Sequence, residues 1–279
     1  MAVKTNPLPA LRKKKPTPVE EKWATYESAL VVTAHPDDAE FLAGGTIAKL
    51  CDLGLSVTLC VATSGDKGTR NASLRPQELA AIREAEQRAA AKVLGLERCI
   101  FWGMPDGFLE ESHELRGQVV RLIRELRPDL MITWDGHRPG FNHTDHRVIG
   151  RVVRDALYPA AHDPLYYPEH SRDGLGPHRS AELLLAGAQD PDYHVDVSAY
   201  LERKVDAVLC HTSQIDGRTR DELLKRYRGD ARSRRETRRR TGYDFAESFR
   251  RVEFRRPPGA PGTPLPAGAR AESPRHGRK

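Results

Sequence analysis

The chain has 279 residues, a formal net charge of +6, 38% hydrophobic residues and 4 cysteines. No apolar run approaches the ~18–20 residues a membrane-spanning helix needs, and the N-terminus lacks the apolar centre of a secretory signal, so neither membrane insertion nor export by that route is expected. Cys51, Cys60, Cys99 and Cys210 stand in no zinc-binding spacing, and three of them lie in apolar stretches, which fits a reducing, cytoplasmic setting.

The ends read differently from the middle. Residues 1–27 carry Pro7, Pro9, Pro16, Pro18 and the basic cluster Arg12-Lys-Lys-Lys15, and read as a flexible extension. Residues 257–279 hold 6 prolines and 4 glycines and read as a disordered tail. Between them, 28–256 is long enough to bury a proper core. Its first strand, 29–33, is a Val/Leu run of the kind buried on both faces of a parallel sheet. A helix over 44–54 closes at a glycine, a strand spans 55–63, and a Ser/Gly/Asp/Lys loop follows. Apolar residues at helical spacing (Leu79, Ile82, Ala85, Ala89, Val93) predict a helix over 75–94. A strand at 99–102, a helix at 115–126 stopped by Pro128, and a strand at 129–134 come next. Strands at 182–186, 194–197 and 249–254 and helices at 200–211 and 220–228 complete the pattern. The alternation predicts an α/β fold with a Rossmann-like, open, mostly parallel sheet flanked by helices, plus strand and helix additions at the C-terminal end.

Residues 225–256 hold 13 Lys/Arg against 5 Asp/Glu, which leaves the remainder slightly acidic. The run Arg234-Arg-Glu-Thr-Arg-Arg-Arg240 is read as a solvated helix face. It has no interleaved aromatics, which weighs against a nucleic-acid partner.

The chemistry concentrates in two places. Ala34-His35-Pro36-Asp37-Asp38-Ala39-Glu40 follows the first strand, where ligands of open α/β sheets gather, and Pro36 fixes one backbone angle inside it. His143-Thr-Asp-His146 lies about a hundred residues on, its two imidazoles spaced to share one face of a helix starting there. A catalytic zinc takes three His or carboxylate ligands and keeps one position open. His35, Asp38 and one of the two downstream histidines make that count. Two His and one carboxylate equally describe an Fe(II) site. Asp37 is then left beside the ion, where a general base is needed, and the spare histidine would face the reacting carbonyl. Singly, each residue is more often a structural cap or a hydrogen-bonded imidazole; the two clusters together reverse that reading.

These motifs resemble those of the LmbE-like/PIG-L family of zinc-dependent N-acetylglucosaminyl deacetylases, and the resemblance runs from Ala29 to Phe254. AHPDDAE matches the family's first motif. HTDHR matches its second, usually H-P-D-H, with Thr144 a departure. Ser64-Gly-Asp-Lys-Gly-Thr69, Arg83-Glu-Ala-Glu86, Leu94-Gly95, Pro105-Asp-Gly107, Arg127-Pro-Asp129, Val195-Asp-Val-Ser198 and His211-Thr-Ser-Gln214 also look like family positions. The resemblance implies His35, Asp38 and His146 as ligands of one Zn2+ per chain, with Fe2+ or another divalent ion as substitutes. It implies Asp37 as general base and His143 as its acid partner, oriented by Asp145. Arg83 aligns with a substrate-contacting arginine and Asp106 with an acidic residue near the sugar. The implied substrate is a small N-acetylated amino sugar or conjugate, and homo-oligomers occur in the family. The loops 66–73, 136–142 and 162–179 are where substrate choice is expected, with His162, His170 and His178 of the third read as solvated. His211 and Gln214 are open between a supporting and a purely structural role.

Three rival readings exist, the weakest an inactive family member acting as a scaffold, against which the intact set of His35, Asp37, Asp38, His143 and His146 argues. A metal-dependent phosphoesterase wants two ions and more bridging carboxylates than this chain shows. A nucleotide-binding module without catalysis wants G-x-G-x-x-G after the first strand, and Gly44-Gly45 comes too late and in the wrong pattern.

Overall fold

A seven-stranded sheet in the order β3-β2-β1-β4-β5-β7-β6 forms the centre of the protein. The computed structural model describes residues 22–140 and 143–254. The strands are β1 (Ser28–Thr33), β2 (Ser56–Thr63), β3 (Arg98–Met104), β4 (Leu130–Trp134), β5 (Glu182–Ala186), β6 (Tyr193–Asp196) and β7 (Ala246–Glu253). The first five pair in parallel, and β7 joins β5 antiparallel and carries β6 antiparallel on its outer side. Each strand read from the sequence is present. So is the Rossmann-like core, with its chain reversal between β1 and β4.

The helices are α1 (Asp38–Asp52), α2 (Pro76–Leu94), α3 (His113–Leu126), α4 (Thr144–Asp155), α5 (Pro168–Arg172), α6 (Leu201–Val208), α7 (Arg220–Arg228) and α8 (Ala231–Thr241). Strand side chains alternate between faces, and β1 shows the consequence. Leu30 and Val32 enter the core under α3 and α4, which supply Val119, Val120, Ile123, Ile149 and Val153. Ala29 and Val31 enter the opposite core, with Ile47 and Leu50 of α1 and Ala90 and Leu94 of α2. Strands buried on both faces need no polar alternation, which is why they read as plain apolar runs.

Three expectations are corrected. The first helix begins at Asp38, not residue 44, because Asp38 and Glu40 form an acidic first turn that suits a helix N-terminus. Trp23, assigned to the flexible extension, is fully buried and donates its indole N–H to Glu182 at 2.8 Å, so the packed body starts before residue 28. His162, His170 and His178 are buried rather than solvated. His178 bonds Pro128 O just ahead of β4, and His162 packs against Phe254 just past β7, at the sheet edge opposite the first motif. The arginine-rich segment is α8, which has no buried residue. The basic cluster at 12–15 and the tail 257–279 lie outside the described residues.

Candidate active site

The carboxyl ends of β1, β3 and β4 deliver His35, Asp106 and Asp135 to one edge of the sheet, and the first turn of α4 brings Asp145 and His146 across to them. Two glycines permit that crossing. A Cβ on Gly150 of α4 would lie 2.4 Å from Trp134 O and 2.6 Å from Gly136 N, and one on Gly136 would lie 2.4 Å from Arg147 O.

His35 Nδ1 lies 3.0 Å from His146 Nε2 and 3.7 Å from Asp38 Oδ2, and His146 Nε2 lies 3.1 Å from Asp38 Oδ1. An ion bound at ~2.0–2.2 Å in a tetrahedron spaces its ligand atoms by about 3.3–3.6 Å, so this trio fits one metal. Asp38 Oδ2 also accepts the backbone N–H groups of Ala34 and His35 at 3.1 and 3.0 Å and the Trp134 indole N–H at 3.0 Å. The Trp134 ring stacks on His146 at 4.1 Å. His143 is exposed; its ring stands 4.5 Å from both His35 and His146, and one ring nitrogen from each of the three histidines lies within 4.8 Å of the others.

The other nitrogen of His35, Nε2, faces two carboxylates, Asp106 Oδ1 at 3.1 Å and Asp145 Oδ2 at 3.2 Å. Asp145 also accepts the N–H groups of Gly107 at 2.7 Å and Leu109 at 3.1 Å. Asp145 therefore orients His35, not His143 as expected. Asp106 turns to the same imidazole and to Lys67 N at 3.0 Å, rather than standing free for a sugar. Arg83 likewise does not stand free: it is buried, and donates 2.6 Å to Pro36 O, 2.9 Å to Gly65 O and 3.1 Å to Asp37 Oδ2.

The electrostatics suit a cation. Burial alone would lower the His35 pKa, but Asp106, Asp145 and Asp38 overturn this and push it up to about 11. Burial, then the charge of Asp38, raises Asp37 to about 7 against the pull of Arg83. Burial opposes ionisation of Asp38, yet His146 and His35 hold it well below the usual carboxylate range. Burial and the neighbouring His35 and His146 lower His143.

Sequence reasoning missed Trp134, Gln87 and Glu40. Gln87 Oε1 accepts the Asp37 N–H at 2.9 Å, and Gln87 Nε2 donates to Glu40 Oε1 at 2.8 Å. A tryptophan closing a buried strand beside the ligand edge was a usable signal. Gln87 carried a weaker one, lying one helical turn after Arg83.

Fold and site define an enzyme with a candidate metal centre at the carboxyl edge of an open parallel sheet. The family model for GlcNAc-PI de-N-acetylase, PIG-L, matches residues 30–157. Diacetylchitobiose deacetylase of Thermococcus kodakarensis is 32% identical over 70% of this chain and 73% of its own length. A probable N-acetyl-alpha-D-glucosaminyl L-malate deacetylase of Bacillus anthracis is 30% identical over 66% of this chain and 80% of its own. Among solved structures, N,N'-diacetylchitobiose deacetylase from Pyrococcus horikoshii superposes with a TM-score of 0.75 at 28% identity, covering 82% of this chain and 84% of that one. The chain belongs to the PIG-L, or LmbE-like, family.

Proposed function

We propose that this protein is a metal-dependent N-deacetylase that hydrolyses the N-acetyl group of a small amino-sugar-containing molecule. The observation that carries the reading is the convergence of His35, Asp38 and His146 on one point with Asp37 beside them and bound to Arg83, in a chain whose relatives are named for removing N-acetyl groups from amino sugars.

His35, Asp38 and His146 would hold the ion, and their nitrogen and oxygen donors suit Zn2+, with Fe2+ as the alternative. When bound, such an ion polarises the amide carbonyl and lowers the pKa of water. Asp37 takes the proton from the attacking water, and Arg83 fixes its carboxylate for that task. His143, exposed at the rim, stabilises the tetrahedral oxyanion and supplies the proton on the departing nitrogen. The C–N bond breaks, giving acetate and a free amine. Asp145 and Asp106 keep the proton of His35 on Nε2, so that Nδ1 presents its lone pair.

The test is amine release from N-acetylated sugars, N,N'-diacetylchitobiose first, alongside metal analysis. Asp37→Ala should keep one ion per chain and lose about 10²–10⁴-fold in kcat, the usual worth of a general base. Asp38→Ala and His146→Ala should lose the metal as well. Wild-type turnover in Asp37→Ala would overturn the roles assigned.

A further inference from the structure

Asp37 has φ 102°, a left-handed backbone conformation unusual for a residue with a side chain. Something must hold it there. Its N–H donates to Gln87 Oε1 at 2.9 Å. A backbone N–H can only donate, so Gln87 must present its carbonyl oxygen to Asp37 and its NH2 to the opposite side. There the NH2 meets Glu40 Oε1 at 2.8 Å, and the second oxygen of Glu40 meets His211 Nε2 at 3.2 Å. Gln87, Glu40 and His211 each have 0% exposure. The segment after α6 is itself pinned to α2 and to the loop after β2. Thr212 and Ser213 hydroxyls donate to Glu86 at 2.6 and 2.7 Å, and Gln214 Nε2 donates to Gly68 O at 3.1 Å.

We propose that His211, Glu40 and Gln87 form a positioning relay that holds the Asp37 backbone, and through it the carboxylate, in its reactive pose. The assignment rests on Asp37 as the general base. Without His211, the buried Glu40 carboxylate keeps only Gln87 as a partner among the described residues, and an undercompensated buried charge is costly. Gln87 then gains by turning further donors toward Glu40, which takes its carbonyl away from Asp37. The left-handed turn loses its tether, and displacements of an ångström at a reacting group are enough to slow turnover. His211 is thus a positioning residue, acting from outside the metal trio.

The experiment uses the full metal-loaded chain, labelled with 15N-aspartate, and follows the Asp37 amide by hydrogen exchange. Metal content is measured in parallel, with kcat and KM on N,N'-diacetylchitobiose. In His211→Phe the Asp37 amide should exchange about tenfold faster or more, in keeping with loss of one buried hydrogen bond. kcat should fall by a similar factor while KM stays within about twofold and metal stays at one per chain. His211→Gln, which restores a donor to Glu40, should recover both. Gln87→Met cuts the tether directly without adding charge, and serves if His211→Phe does not fold. In its background the His211 substitution should cost nothing more in kcat. The relay is overturned if Asp37 exchange is unchanged in Gln87→Met, or if the His211 loss is undiminished in that background. A wild-type chain that releases no acetate would sink the deacetylase reading alone, because the exchange measurement still decides the relay.

Discussion

The two nitrogens of His35 are assigned opposite jobs by their surroundings. Nε2 faces the carboxylates of Asp106 and Asp145, which accept only, so once the imidazole is neutral its one proton sits there and Nδ1 offers its lone pair toward His146 and Asp38. Asp145→Asn disturbs this arrangement. Asp145 Oδ2 faces His35 and accepts the Gly107 N–H while Oδ1 accepts the Leu109 N–H, so no orientation of the amide serves all three: its NH2 stands either against Leu109 N or against Gly107 N and His35, and the second favours the proton on Nδ1, the wrong tautomer for a ligand. Metal affinity should fall about 10-fold, the lower end of the range for such partners, because Asp106 still holds Nε2; chelator competition measures it. An unchanged dissociation constant would mean that Asp145 serves only the 107–109 turn. The residues of the candidate site were legible as types and spacings: His35, Asp38, His143 and His146 converge, with Asp37 next to Asp38. Who contacts whom was not, because Asp145 and His35 are 110 positions apart and only the fold decides that Asp145 turns to His35 rather than to neighbouring His143.

At the scale of elements, the strands were legible because a strand buried on both faces writes itself as an unbroken apolar run. Helix α2 was placed correctly, yet its inner face was misread. Its buried positions include Leu79, Arg83, Glu86, Gln87, Ala90 and Leu94, whereas Ile82 is 41% exposed. Apolar periodicity assumes that the inside is oily, and this helix faces the site, so its inner stripe carries charge and amide. The start of α1 was misplaced for a related reason: its first turn is made of site residues, which read as motif rather than as helix. α4 offers the cleanest test of an element positioning chemistry. A Cβ at Gly150 would press on two backbone atoms of the β4 end, neither of which can rotate away. Gly150→Ala should cost about 1–3 kcal/mol of stability, as overpacking does, seen as a lower urea midpoint. It should also weaken metal binding, since Asp145 and His146 ride on the same helix. Loss of stability with unchanged metal affinity would show that α4 can shift without moving its first turn.

Across the whole molecule the buried histidines divide by edge of the sheet. The carboxyl edge collects the candidate metal centre, and α8, polar all round, has none of its residues buried. The opposite edge buries the Glu182 carboxylate, paired with Arg251, and also an uncharged imidazole. His162 packs edge-on to Tyr158 and Phe254, and burial, followed by the charge of Arg179, lowers its pKa to about 4. The unfolded chain carries an ordinary histidine near 6.5. Above that value both states are neutral here and the residue contributes no pH dependence. As the pH falls below it, the unfolded state takes up a proton that the folded state refuses, so stability declines, and the decline levels off below about 4 where both are protonated. The same chain with His162→Phe keeps an aromatic ring between Tyr158 and Phe254 but has nothing there to titrate. Urea midpoints measured for both proteins at about pH 7, 5.5 and 4.5 should diverge as the acid range is entered, with wild type falling faster. Metal release and the carboxylates are common to both chains and cancel in the difference. Parallel curves across that range would show that His162 admits a proton in the folded state, through a solvent path at the edge of the sheet where β5 begins and β7 ends.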